Sequence, residues 1–279
     1  MKRFGLIGHP VAGSFSPKLF EAAYGGRYPY DLIEGAEFGA SWQRFLDEYD
    51  GINITAPFKE FAFRAVDALS DDARLCGAVN LAVKTPTGIV GYNTDVAGVV
   101  LAVREAGLPV SEALVVGCGG AGRAAAVAAL RLGCRVTLAN RTPSRAAALA
   151  DDLNARLASV GIGTPATTDS PISTTRVGSS ATSPAGVAGS RPSCTWVPVE
   201  DIAALSPDLV IYTVPGSMDS FPDFPGAVIL EANYRTPCLE GRGKAYVSGL
   251  RWLLYQAVAG YEIFTGETPD ADAMFRIFC

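Results

Sequence analysis

Along the first third of the chain, short apolar runs alternate with stretches of helical period. "RFGLIG" leads into "SPKLFEAAYGG", "YPYDLIEG" into "ASWQRFLDEY", and "GINITAP" into "FKEFAFRAVDALS". The apolar runs bounded by Gly and Pro read as strands, and the spaced ones as helices. Such alternation predicts parallel β/α layering. "GAVNLAVKTPTGIVGYNTD" interrupts it, because its two runs, around Val79–Val83 and Ile89–Tyr92, flank the turn "TPTG" and read as a hairpin. A helix, "DVAGVVLAVREAG", then ends at Gly107. A second α/β unit opens with "ALVVGCGGAGRAAAVAALRLG" and continues into "CRVTLANRT", which places a domain boundary near residues 97–110. The pattern resumes with "LSPDLVIYTVP", "AVILEANY" and a final helix, "GLRWLLYQAVAGYEIFTG". Residues 161–194 between them are almost all Gly, Ser, Thr, Pro and Ala without an apolar period, and read as a surface insertion or mobile loop.

Composition narrows the classes. At 279 residues, 49% hydrophobic and 18% charged, the chain is an ordinary globular protein of two domains. A net charge of -5 argues against nucleic-acid or anionic-membrane partners, so any anion must meet a local cluster of donors. Six cysteines lie far apart without a C-x-x-C pair, and with a single histidine they argue for reduced thiols in a cytoplasmic protein and against a zinc site. The apolar run at the start is broken by His9 and Pro10 after about five residues, short of the ~7–15 of an export signal. No segment approaches the ~20 apolar residues of a membrane span.

The triplet G-x-G-x-x-G occurs as Gly117, Gly119 and Gly122, at the end of an apolar strand and the start of an Ala-rich helix. That context makes it a dinucleotide loop: the turn brings backbone close to a pyrophosphate, which rests on free N–H groups at the helix start, here from Gly120, Ala121 and Gly122. An NAD site carries an acid about 20 residues further on. Here the next strand ends in Asn140, Arg141 and Thr142, followed by Arg145. Two guanidiniums and a hydroxyl suit a ribose 2′-phosphate, and the cofactor reads as NADP(H). A solvated helix start would also explain the two arginines.

Polar side chains gather at three further strand-to-helix junctions. Ser14 and Ser16 precede a helix whose N-cap is expected at Ser16 and first residue at Pro17, a small anion site suited to a carboxylate. In "GINITAPFKE" the residues Asn53 and Thr55 alternate along a strand, and Lys59 falls in the first turn of a helix expected to start at Pro57. Asn80 sits in the hairpin, and Asp95 lies just inside the next helix start, where the dipole favours a carboxylate. Taken singly each reads as a cap or surface charge; together they form a plausible acid/base couple, Lys59 and Asp95, in a polar surround.

At this point the chain resembles a known family. "GHPVAGSFSP", "NITAPFK", "GAVN", "GYNTD", the glycine loop, "NRTPSR", "YTVPGSM" and "GLRWLLYQA" follow, in order and over nearly the whole length, the motifs of shikimate dehydrogenase. The resemblance implies an α/β chain with an N-terminal α/β substrate domain over 1–97 and 250–279, a Rossmann-type NADP-binding domain over 98–249, and a cleft between them. It implies NADPH-dependent reduction of 3-dehydroshikimate to shikimate, with quinate oxidation or a non-catalytic NADP-binding regulator as rivals. Ser14 and Ser16 would hold the carboxylate, and Asn53, Thr55, Asn80 and Gln256 would surround the ring hydroxyls. Thr213 and Met218 would border the nicotinamide. The chain departs from the family pattern at His9, Gly13, Ser217, Trp252 and the shortened segment around Tyr234. Monomer and homodimer both stay open.

Overall fold

The computed structural model describes residues 1–160, 193–218 and 220–278. The described chain divides into two compact units: one covers Met1–Asp95 and resumes at Leu254, the other takes Val96 to Leu253.

The first unit contains β1 (Phe4–Gly8), α1 (Ser16–Tyr24), β2 (Tyr30–Glu34), α2 (Phe38–Glu48), β3 (Gly51–Ile54), α3 (Lys59–Ala65), β4 (Ala68–Leu69), α4 (Asp71–Cys76), β5 (Leu81–Thr85) and β6 (Gly88–Tyr92). They form a six-stranded sheet in the order β2-β1-β3-β5-β6-β4. β1 and β3 are buried at every position, which is why they read as apolar runs, interrupted only by Asn53 in β3. The layering is parallel only in part, because the hairpin enters the sheet: β5 runs antiparallel to β3 and β6, with Thr85 opposite Gly88 across a two-residue tip. A core of Ile7, Ile33, Trp42, Phe45, Tyr49 and Ile52 lies on one side of the sheet.

"FKEFAFRAVDALS" is not one helix. α3 stops at Ala65, where Val66 turns extended, and Asp67 bonds both backbone groups of Ile89, one through its own amide and one through its carboxylate. Edge pairing therefore wins over the helical period, and Ser70 then caps the short α4 by accepting from the Ala73 N–H at 3.2 Å. Pro57 does not open α3 either. It sits in the turn closed by the Phe58 N–H on the Thr55 carbonyl, and the helix begins at Lys59.

α5 (Thr94–Glu105) crosses into the second unit, which continues with β7 (Glu112–Val116), α6 (Gly120–Arg131), β8 (Arg135–Asn140), α7 (Pro143–Val160), β9 (Cys194–Pro198), β10 (Leu209–Tyr212), β11 (Phe224–Glu231) and β12 (Gly243–Ser248). α8 (Gly249–Thr265) returns to the first unit, where α9 (Ala271–Phe275) follows. The second sheet is parallel throughout, in the order β12-β11-β10-β7-β8-β9. Counted from β7, that is the 3-2-1-4-5-6 order of a doubly wound dinucleotide-binding sheet, with its switch point between β7 and β10. Cys194 does not belong to the low-complexity segment: it starts β9, in register with Val136 of β8. The Ser193 carbonyl before it accepts the Val136 N–H, and residues 161–192 of that segment lie outside the described residues. Neither β9 nor β12 announces itself in sequence, since both are short, half-polar edge strands defined by pairing.

Candidate active site

In the first unit an ammonium and a carboxylate meet. Lys59 Nζ donates to Asp95 Oδ2 at 2.6 Å, with the side chains 22% and 15% exposed. Both lie in the first turn of their helices, α3 and α5. The α5 dipole favours the acid, and the acid in turn holds the cation that the start of α3 disfavours. Next to them Asn80, 3% exposed, bonds the α5 start: its Oδ1 accepts from the Thr94 N–H at 2.8 Å and its Nδ2 donates to Thr94 Oγ1 at 3.1 Å. Thr94 Oγ1 donates onward to Gln256 Oε1 of α8 at 3.4 Å. The Lys59 carbonyl takes the Val79 N–H, so the hairpin entry is pinned to the start of α3.

Asn53 joins this group from β3. Its Nδ2 donates to the Asn80 carbonyl at 3.4 Å and its Oδ1 accepts from Tyr30 at 2.8 Å. Thr55 is half-buried beside it, its methyl crowding Gly8 at the end of β1. Ser14 and Ser16 pair with each other: Ser14 Oγ donates to Ser16 Oγ at 3.0 Å and accepts the Ser16 N–H at 3.2 Å. Ser16 is thus not the cap of α1 but its first residue, after Phe15, because Ser14 already takes its amide. Sequence reasoning missed three groups that hold this set in place: Thr94, Tyr30 and Tyr261, which donates to the Ser16 carbonyl at 3.0 Å. Burial lifts the Tyr30 and Tyr261 phenols well above their ordinary range. Thr94 was open to notice, standing beside Asp95 in "GYNTD"; the two tyrosines sit in runs that read as plain core.

The second unit carries the glycine turn at the sheet's switch point. Gly117 has φ +102, and a Cβ there would lie 2.4 Å from Thr213 Oγ1. A Cβ on Gly122 would lie 1.8 Å from the Gly117 carbonyl, so only glycine lets α6 approach β7 this closely. Gly119 and Gly120 face open space, and Gly119, the N-cap residue before α6, offers no side-chain cap. The first-turn amides of Gly120, Ala121 and Gly122 are thus left for an anion, as a bound pyrophosphate requires. Asn140 braces the turn, accepting the Cys118 N–H at 3.3 Å and donating to the Thr142 carbonyl at 3.0 Å. Burial raises the Cys118 thiol to about 11, so it stays protonated. Arg141, Thr142 and Arg145 are exposed, and no carboxylate among the described residues pairs with either arginine. Thr213 donates to the Val116 carbonyl at 2.9 Å, tying the end of β10 to the turn, and Met218 packs against the core beyond it. Among the described residues no group of three or more His, Cys, Asp or Glu gathers as a metal site, and no helix is long and apolar enough to cross a membrane.

A doubly wound sheet with an uncapped glycine turn, together with a separate α/β unit bearing a lysine–aspartate pair, defines the class: a two-domain, dinucleotide-binding α/β protein. A family model described as "Shikimate dehydrogenase substrate binding domain" matches residues 6–82. Shikimate dehydrogenase (NADP(+)) of Acidiphilium cryptum is 35% identical over 98% of this chain and 94% of its own. Its counterpart from Rubrobacter xylanophilus is also 35% identical, over 98% of this chain and 93% of its own. The crystal structure of shikimate 5-dehydrogenase from Thermus thermophilus, in complex with NADP(H) and shikimate, superposes with a TM-score of 0.76 at 26% identity, covering 99% of this chain and 98% of that one. The chain belongs to the shikimate dehydrogenase family.

Proposed function

We propose that this protein is a cytoplasmic, NADP-dependent shikimate dehydrogenase that reversibly reduces 3-dehydroshikimate to shikimate. Residues 1–97 and 250–279 serve as the substrate domain, and 98–249 bind the cofactor. The observation that carries the reading is the half-buried Lys59–Asp95 pair, set in a ring of amides and hydroxyls rather than in a surface salt bridge. The relatives' named activity supports it, and so do Arg141 and Arg145, which pair with no carboxylate among the described residues and favour a 2′-phosphate over a bare ribose. The five described cysteines are all free thiols, in keeping with the cytoplasm.

Bound NADPH supplies the hydride that reduces the ring ketone. Lys59, protonated, donates to the ketone oxygen, stabilises the negative charge growing on it and gives it the proton, so a ketone becomes an alcohol. Asp95 holds the ammonium charged and aligned and accepts from the neighbouring ring hydroxyl. Thr94 and Asn80 fix the start of α5, and with it Asp95. Asn53, Thr55 and Gln256 present donors and acceptors to the ring hydroxyls, and the Ser14–Ser16 hydroxyls take the substrate carboxylate. In the reverse direction Lys59 acts as the base.

The test is direct: protein, NADP and shikimate are mixed and the NADPH absorbance followed. Growth of that band with shikimate, and much less with quinate or with NAD, supports the reading. Turnover of quinate with NAD would replace it with the quinate alternative, and no turnover at all with NADP bound would leave a regulator.

A further inference from the structure

Glu231, at the end of β11, is fully buried, and neither the sheet nor the proposed chemistry explains a carboxylate there. No cation accompanies it among the described residues. Instead the acid takes the Cys238 N–H at 2.9 Å, the Leu239 N–H at 3.1 Å and the Tyr246 hydroxyl at 3.0 Å, while the Cys238 thiol lies 3.2 Å from Oε1. A buried anion with four donors converging on it is satisfied by hydrogen bonds alone, and its loss leaves amides stranded.

The loop it holds meets the turn after β10. Glu231 stands in register with Tyr212, and the Cys238 sulfur lies 3.8 Å from the Gly216 carbonyl, which also accepts from Tyr212 at 2.9 Å. Thr213 in that turn bonds the Val116 and Gly117 carbonyls. An unbroken path therefore runs from Glu231 through Cys238 and Gly216 to the glycine turn, along the carboxyl ends of β11, β10 and β7, where ligands of such sheets bind.

Resting on the reading of this unit as the cofactor domain, we propose that Glu231 is a positioning residue for the cofactor: a buried anionic strut that locks the 232–239 loop against the Tyr212–Met218 turn. Burial first, then the bond and charge of Glu231, push the Cys238 thiol up to about 11, against the pull of Arg242, so the thiol 3.2 Å from Oε1 reports on the strut.

The test compares the full-length wild type with Glu231→Gln, which keeps the shape but turns an amide donor toward the waiting N–H groups. NADPH affinity is read by cofactor fluorescence, and Cys238 exposure by iodoacetamide labelling with peptide mass mapping. The expected result is NADPH binding weaker by about tenfold, the size of one lost charge-assisted hydrogen bond. Cys238 should label faster at mildly alkaline pH, and Glu231→Asp, which keeps the charge, should recover most of the affinity. If Glu231→Gln does not fold, Tyr246→Phe removes a single donor and should shift both readouts the same way by a smaller factor. A variant with lowered melting temperature but unchanged NADPH affinity and labelling overturns the proposal. A wild type that binds no NADPH removes the cofactor reading itself, and the strut with it.

Discussion

On the reading proposed above, the two units prepare for their ligands in opposite ways. In the first, side chains do the work and are nearly all engaged with one another: Lys59 with Asp95, Asn80 with Thr94, Tyr30 with Asn53, Ser14 with Ser16. In the second, the work falls to bare backbone at Gly117–Gly122 and to Arg141 and Arg145, which bond no carboxylate among the described residues. A small polyol must be oriented at every hydroxyl, so its site is pre-aligned by a connected network. A dinucleotide is anchored by its phosphates, so its site needs open amides and free cations.

If that contrast is right, removing one reacting side chain in the first unit costs more than any change in the second. Lys59→Ala should lower kcat by at least about two decades, the worth of a positioned general acid, with circular dichroism and NADPH binding unchanged. Retention of most of the activity would take Lys59 out of the chemistry. In the second unit, the sharpest lesion is steric. A Cβ at Gly122 would meet the Gly117 carbonyl at 1.8 Å, so Gly122→Ala should weaken NADPH some tens of fold by forcing α6 away from β7, while a direct calorimetric titration of shikimate is left much less affected. Equal damage to both titrations would mean that the units are not separately prepared.

The same contrast explains what could be read beforehand. The glycine turn was legible because its constraint is local: Gly117, Gly119 and Gly122 lie within one turn of chain, and backbone approach admits nothing else. Lys59 and Asp95 were legible by type and helix position, though the 2.6 Å contact between them comes from pairing β3 and β6 on either side of β5, which no local pattern encodes. Tyr30 and Tyr261 stayed hidden because their rings belong to an aromatic cluster with Phe20, and only their hydroxyls reach Asn53 and Ser16. Ser16 was misplaced by one position because two serines competed for the same cap. β9 and the strand at Ala68–Leu69 were lost for a further reason: each is held by a neighbour's open edge and has no apolar period of its own.

Cofactor preference tests the open half of the comparison. With Arg141 and Arg145 bonded to no carboxylate among the described residues, each guanidinium is open to a 2′-phosphate on the reading proposed above. Replacing either by Ala should lower the ratio of kcat/KM for NADP over NAD by about tenfold, roughly the value of one charge-assisted bond to phosphate. Added salt should erode the wild-type preference in the same direction. A ratio that does not move would return both arginines to the solvated helix start.

The smallest effect separates free arginines from engaged ones within the same unit. Arg123, in the first turn of α6, bonds Asp152 of α7, which also takes Arg156 Nε at 2.9 Å. Burial alone would raise the Asp152 carboxyl, but the bonds and charges of Arg123 and Arg156 outweigh it and hold it below its ordinary value. A carboxyl depressed by folding adds stability above its unfolded value of about 3.9, and that contribution is lost as pH falls through the folded one. Asp152→Asn should therefore melt roughly 2 °C below the wild type near neutral pH, a small shift because the pair is partly solvated. The gap should begin to narrow below about pH 4 and close only as pH falls through the lower value at which the folded wild-type acid takes up its proton. The variant should leave NADPH affinity unchanged, since Arg123 is spent on α7 and not offered to a phosphate. Weaker cofactor binding in Asp152→Asn would show that the engaged arginine also serves the ligand, and the distinction between spent and open cations would fail.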